Sequence, residues 1–425
     1  MLDIRRIRDD LDEVRAGLAL KGADPAVLDR VLELDKARRA RLTEMEGLKG
    51  RRNAVSKDIG QLKRSGEDTT EVQASMRALG EEIAAMEVEG RANEEALHEA
   101  LLAIPNTAHT STPAGSDASS NVLVREHGDI PTFDFKPKGH VALAEDLALV
   151  DFARGAKLSG AGFVLYTGTG ARLQRALIQY MLDVHVTHHG YREVWPPSVV
   201  NRESMTGTGQ LPKMAEDMYH VPSDDLYLIP TAEVPVTNIY RDEVIDEPLP
   251  LKLTAYTPCF RREAGAAGKD TRGLIRMHQF DKVEMVKFVD PATSYDELET
   301  LLADAEDILQ RLELPYRVLQ LCGGDLSFAA AKCYDIELWA PGQNDWLEVS
   351  SCSNFEDFQA RRANIRHRAD NGKPQHLHTI NGSGVALPRL VVAILENGQR
   401  ADGSIELPEA IVPYMGGLSR IERPS

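Results

Sequence analysis

Between Phe260 and Glu284 the chain reads FRREAGAAGKDTRGLIRMHQFDKVE, with two arginines beside a glutamate, a glycine-rich basic stretch, and an apolar run that ends on an acid. Arg261, Arg262 and Glu263 close a predicted strand, where alternate side chains share a face, so Arg261 and Glu263 are expected to point one way and Arg262 the other. An arginine fork grips a phosphate through two parallel hydrogen bonds, and a glutamate can accept from an exocyclic amine or hold a cation. The stretch AGAAGKDTRG that follows is basic and pliable enough to close over a polyanion. The same residues also describe a β-hairpin loop with a surface ion pair.

Phe280 and Glu284 are four apart, again on one strand face. Phe280 suits either a core or a stack against a base. Glu284, a carboxylate within an apolar strand, requires a partner. Thr231, Ala232 and Glu233, in LIPTAEVPV, add a second acid after an apolar strand, and two such acids could hold the ammonium and hydroxyl of a small amino acid. In LEVSSCSN, Glu348 and Ser351 offer oxygen ligands of the kind Mg²⁺ uses when it leans on substrate phosphates, although the segment also reads as a Ser/Asn turn. In TINGSGVALPRLVVAILENGQ a Gly-rich bend is expected before a helix that opens near Arg389. A cation at a helix N-terminus opposes the macrodipole, which points to an anion there or to a solvated arginine.

The elements that must carry these residues fall into two regions. Before Ile104, apolar positions recur at Leu34, Met45, Leu48, Val55, Ile59 and Leu62, interrupted by Arg38 and Arg52. After a break at Gly66 they recur at Val72, Met76, Leu79, Ile83, Met86, Asn93 and Leu97. Steps of three and four describe a coiled-coil seam. Two helices of about 35 residues make an antiparallel hairpin roughly 50 Å long, either a reaching arm or a spacer coil. Helices are also expected from about Ile4 to Ala19 and from Pro25 onward.

Beyond Pro105 a polar linker over 106–120 leads to short β-like runs with helices between them, at His140–Arg154, Gly170–His189, Ser294–Leu312 and Leu390–Asn397. This is an α+β pattern, with an antiparallel β-sheet flanked by helices. There is no Walker A sequence and no GxGxxG after a strand, so an ATP site must be built in another way.

A net charge of −17 over 425 residues argues against sequence-blind binding to nucleic acid. Cys259, Cys322, Cys333 and Cys352 form no CxxC pair, so neither zinc nor a disulfide framework is expected, and a reduced, cytoplasmic setting fits. No run approaches the roughly 20 apolar residues of a membrane span.

Together the segments TAEVP, FRREAGAAGKDTRGLIRMHQFDKVE and EVSSCSN, in this order and behind a helical hairpin, resemble the bacterial-type seryl-tRNA synthetase family of the class II aminoacyl-tRNA synthetases. The resemblance covers nearly the whole chain. It implies a tRNA-binding N-terminal domain over 1–105, with the coiled coil at about 27–103, and a class II catalytic domain over 121–425. It implies activation of L-serine with ATP and Mg²⁺, then transfer to tRNA(Ser) and also to tRNA(Sec), by a homodimer formed through the motif from Gly190 to Pro197.

On this resemblance Arg261, with Thr231, Ala232, Glu233, Glu284, Asn381 and Ser383, would bind serine. Arg261, Arg262, Glu263, Phe280, Glu348, Val349, Ser350, Ser351 and Arg389 would bind ATP, with Arg261 on the α-phosphate, Phe280 on adenine and Arg389 on the γ-phosphate. Glu348 and Ser351 would hold Mg²⁺. Gly209 to Pro212 would lie over the site, and the loop from Ala264 would approach the tRNA acceptor end. Lys49, Arg51, Arg52, Lys57, Lys63 and Arg64 would meet the long variable arm of the tRNA. One departure stands out: Pro388 replaces the family's glycine before Arg389, and Leu390 its threonine after it.

Overall fold

The computed structural model describes residues 1–263, 273–369 and 372–424. They form two compact units, one of Met1–Ala19 with Ala23–Pro105, the other of Leu20–Gly22 with Asn106–Ser425.

The first unit is helical: α1 (Ile4–Asp9), α2 (Leu11–Leu20), α3 (Val27–Ser65) and α4 (Thr70–Leu102). The single helix expected over Ile4–Ala19 is thus two, because Asp10 leaves the helical region at φ −124°, ψ 39°. Gly66 ends α3 in the left-handed conformation that glycine adopts without strain, and the chain reverses there. Each apolar residue of the expected seam is buried or half-buried, with Leu48, Leu79 and Ile83 in one cluster. Asn93 belongs to it as well, since its amide donates to the Leu34 carbonyl at 3.1 Å. Arg52, by contrast, is exposed. Asp35 is fully buried, with Arg39 at 2.9 Å, Arg38 at 3.3 Å and Arg8 at 3.6 Å.

The second unit is built on an eight-stranded sheet: β1 (Val122–His127), β2 (Arg192–Glu193), β3 (Leu251–Phe260), β4 (Gln279–Val289), β5 (Tyr316–Gln320), β6 (Lys332–Ala340), β7 (Asp345–Asn354) and β8 (His378–Ala386). Their spatial order is β1-β5-β6-β7-β8-β4-β3-β2, antiparallel throughout except where β2 runs parallel to β3. Three helices, α5 (Gly168–Thr187), α6 (Ser294–Arg311) and α7 (Leu387–Gly398), share one core with Val283, Met285, Cys352 and Ile380 of the strands. The alternate residues of those strands face away from this core, toward the cavity described below.

Three segments differ from expectation. The helix expected over His140–Arg154 is broken, because Ala148 takes φ +51° and Asp151 caps a new helix by accepting from the Arg154 N–H at 2.8 Å. The Gly-rich segment before Arg389 is not a bend; it is the interior of β8. There Gly382 passes so close to Leu301 and Cys352 that a Cβ would lie 2.7 and 2.9 Å from their side chains. Finally, the polar stretch after Pro105 is pinned down, since the Asn106 amide donates to the carbonyls of Ala329 and Phe355 at 2.9 and 2.8 Å.

Candidate active site

A cavity of about 650 Å³ opens on the sheet face opposite the helices. Strand alternation on β4 turns Phe280 and Lys282 into it, and β8 adds Asn381 and Ser383. Glu284 lies just beneath the lining, with no exposure. Its carboxylate accepts from Thr231 Oγ1 at 3.0 Å and Asn381 Nδ2 at 3.1 Å and pairs with the Lys282 ammonium. Burial raises the Glu284 carboxyl above its ordinary pKa, and Lys282 opposes the rise.

Glu233 opens a short helix (Glu233–Asn238) and lines the same end of the cavity, where Gln359 Nε2 donates to its Oε1 at 2.5 Å. Burial, followed by the Glu284 charge, pushes Glu233 to about 7. The Lys282 and Arg261 charges both act on these two adjoining buried carboxyls and offset part of the cost of ionising them.

Glu348 and Ser351 stand three apart on β7, a spacing that would put them on opposite faces of a regular strand. Glu337 pairs with Glu348 whereas Ile336 pairs with Ser350, so Val349 is an extra residue. This bulge returns both oxygen-bearing side chains to the cavity. A single proline-containing first turn of α7 carries Arg389, whose Nη1 donates to the Glu348 carbonyl at 2.6 Å and lies 3.3 Å from its carboxylate.

The strand expected to reach Glu263 stops at Phe260, and Glu263 adopts φ +49°. Arg261 and Glu263 nevertheless both line the cavity, placed there by a turn rather than by strand alternation. The Arg261 guanidinium sits 5.1 Å from the centre of the Phe280 ring and donates to the Pro230 carbonyl at 3.3 Å. Arg276 holds Glu263 at 2.6 Å.

The cavity therefore brings together Thr231, Glu233, Arg261, Glu263, Phe280, Glu348, Val349, Ser351, Asn381, Ser383 and Arg389. Besides Glu284, three of the anticipated site residues lie off its lining. Ala232 is packed in an apolar core, Arg262 is exposed with its N–H on the Asp217 carbonyl, and Ser350 turns its hydroxyl to the Ser383 carbonyl. Of the anticipated Gly209–Pro212 loop, Gly209 and Gln210 line the cavity and Leu211 and Pro212 lie off it. Gly190 and Pro197 flank β2 at the sheet edge, away from the cavity, and most of Ala264–Gly273 falls outside the described residues. Sequence reasoning missed Lys282, Arg276 and Gln359. The alternation that found Phe280 and Glu284 also selects Lys282 between them, whereas the roles of Arg276 and Gln359 depend on contacts across the fold.

Comparison with known proteins decides the ancestry of this arrangement. Residues 1–108 match the seryl-tRNA synthetase N-terminal domain, and residues 219–398 match the class II core domain of tRNA synthetases (G, H, P, S and T). The serine–tRNA ligase of Geobacter sulfurreducens is 55% identical, over 99% of this chain and 100% of its own length. This chain belongs to the seryl-tRNA synthetase family. A second family member, the serine–tRNA ligase of Thermomicrobium roseum, is 56% identical over 100% of this chain and 95% of its own. Among solved structures, the seryl-tRNA synthetase of Pyrococcus horikoshii complexed with ATP superposes with a TM-score of 0.94 at 38% identity, covering 100% of both chains.

Proposed function

We propose that this chain activates L-serine with ATP and transfers the seryl group to the 3′ end of tRNA(Ser), and of tRNA(Sec) where one is present. The observation that carries the reading is a single cavity that brings two buried carboxyls together with Arg261, Arg389 and an aromatic ring. A zwitterion that must meet a nucleoside triphosphate needs both charge signs and a stacking face.

In the first step a serine carboxylate oxygen attacks the α-phosphorus. The new O–P bond forms as the bond to the bridging oxygen breaks, and pyrophosphate leaves with the electron pair. In the second step the terminal ribose hydroxyl attacks the seryl carbonyl and AMP departs. No protein nucleophile is needed, because the substrate carboxylate is itself the nucleophile. Arg261 and Arg389 hold the phosphates and stabilise charge as it moves onto them. Thr231, Glu233, Glu284, Asn381 and Ser383 form the serine end, and Phe280 supplies a face for adenine. Alanine entering this end would leave buried polar groups unpaired, and threonine would need room for one more methyl.

The donor set also fits a hard divalent cation, since the bulge at Val349 aims a carboxylate and a hydroxyl at the place where phosphates would lie. Glu348 and Ser351 would hold Mg²⁺, which neutralises phosphate charge when bound. Residues 1–105 serve as the tRNA-binding domain, 106–120 as the connection and 121–425 as the catalytic domain, in a cytoplasmic enzyme. A homodimer formed through Gly190–Pro197 accounts for Trp195, which is 78% exposed. Amino-acid-dependent exchange between ATP and pyrophosphate tests the activity, with serine, threonine, alanine and glycine run in parallel. Exchange with serine alone is expected, and exchange driven by another amino acid in its place rejects the reading.

A further inference from the structure

Lys282 has no task in the assignment above. It is 5% exposed, lines the cavity, and divides its ammonium between Glu284 and Ser383 Oγ, the latter at 3.0 Å. An ammonium this buried is costly unless it is paired, and Glu284 supplies the charge. Phe280, Lys282 and Glu284 project from one face of β4, successive side chains being about 7 Å apart along the strand. The order is therefore ring, ammonium, carboxylate. A ligand with its base on Phe280 and its amino group at Glu284 must pass its carboxyl group beside Lys282.

We propose that Lys282 binds the substrate carboxyl group and that its contact with Glu284 holds the place that the amino group of serine takes on binding. The proposal rests on the serine-activating reading given above. As serine enters, one buried ion pair becomes two: the amino group takes Glu284, and Lys282 turns to the carboxylate. The Glu284 carboxylate and the Lys282 ammonium are each paired at both stages. An amine without a carboxyl group would displace Lys282 from Glu284 and offer nothing in return. Lys282 thus makes the site selective for an α-amino acid over the corresponding amine, which neither Glu233 nor Glu284 can do.

The test compares calorimetric binding of L-serine with that of ethanolamine, which is serine without its carboxyl group, using the full chain. The unaltered protein is expected to favour serine strongly. In Lys282→Gln, whose amide still satisfies Glu284, that preference should shrink about 10- to 100-fold, the worth of a charged hydrogen bond. Lys282→Arg should retain more of it. An unchanged serine-to-ethanolamine ratio in Lys282→Gln overturns the proposal and leaves Lys282 a structural partner of Glu284. Even without that variant, ethanolamine binding to the unaltered protein as tightly as serine overturns it. If serine does not bind the unaltered protein at all, the functional reading itself fails.

Discussion

Glu233 and Glu284 are buried side by side at the cavity, and the Glu284 charge raises the cost of charging Glu233. For Glu233 the consequence has a definite sign. Its carboxyl rises from the ordinary 4.5 to about 7, so the folded protein holds a proton that the unfolded chain would release. The stability linked to it is fully present below about 4.5 and is lost as the pH rises to about 7, by about 3 kcal/mol. Serine, whose ammonium on Glu284 would gain from a charged Glu233 beside it, should bind up to about tenfold more tightly at pH 8 than at pH 6. Calorimetry at intervals across that range checks this, and Glu233→Gln should both weaken binding and flatten the pH dependence. Among the cations of the cavity, Arg261→Ala should cut serine-dependent pyrophosphate exchange by about 10²- to 10³-fold, the usual cost of one preorganised charge-stabilising group, while tRNA affinity is kept. Parallel loss of exchange and tRNA affinity would contradict the role given to Arg261.

The elements place these side chains by two devices that differ in how openly the sequence displays them. Period-two alternation is open to inspection, and on β4 it correctly puts Phe280 and Glu284 on one face. The bulge at Val349 is not, because an extra residue in one strand appears only against its partner. Glu348 and Ser351 therefore share a face for a reason their spacing conceals. The same holds for Glu263, whose positive φ carries it into the cavity after the strand has ended. β8 is concealed by its glycines, which read as a bend but mark close packing, Gly382 on α6 and β7 and Gly384 on His185 of α5. Gly382→Ala should push Leu301 and Cys352 apart from β8 and cost about 1–3 kcal/mol as overpacking does. Because Asn381 and Ser383 flank that residue, serine affinity should fall as well. Thermal melts and serine titration check both, and an unaltered melting temperature would show that the close approach is easily relieved.

At the level of the whole molecule, an acidic chain must bind a polyanion by concentrating its positive charge. The helix α3 carries Arg51, Arg52, Lys57, Lys63 and Arg64, all exposed. Lys49 belongs to a different set, since its ammonium pairs with Glu87 at 2.9 Å across the hairpin and is partly spent there. On the proposed reading the five exposed cations would meet phosphates along an extended tRNA feature. Their contribution should then be electrostatic and screened by salt. Changing all five to glutamine should leave serine-dependent pyrophosphate exchange intact, because the cavity draws none of its lining from α3. The KM for tRNA in the charging reaction should rise about tenfold or more, and its dependence on salt should become shallower. Charging that keeps both its KM and its salt dependence would remove these residues from the tRNA interface. Loss of exchange in the folded variant would instead show that the hairpin and the cavity are not separable in function.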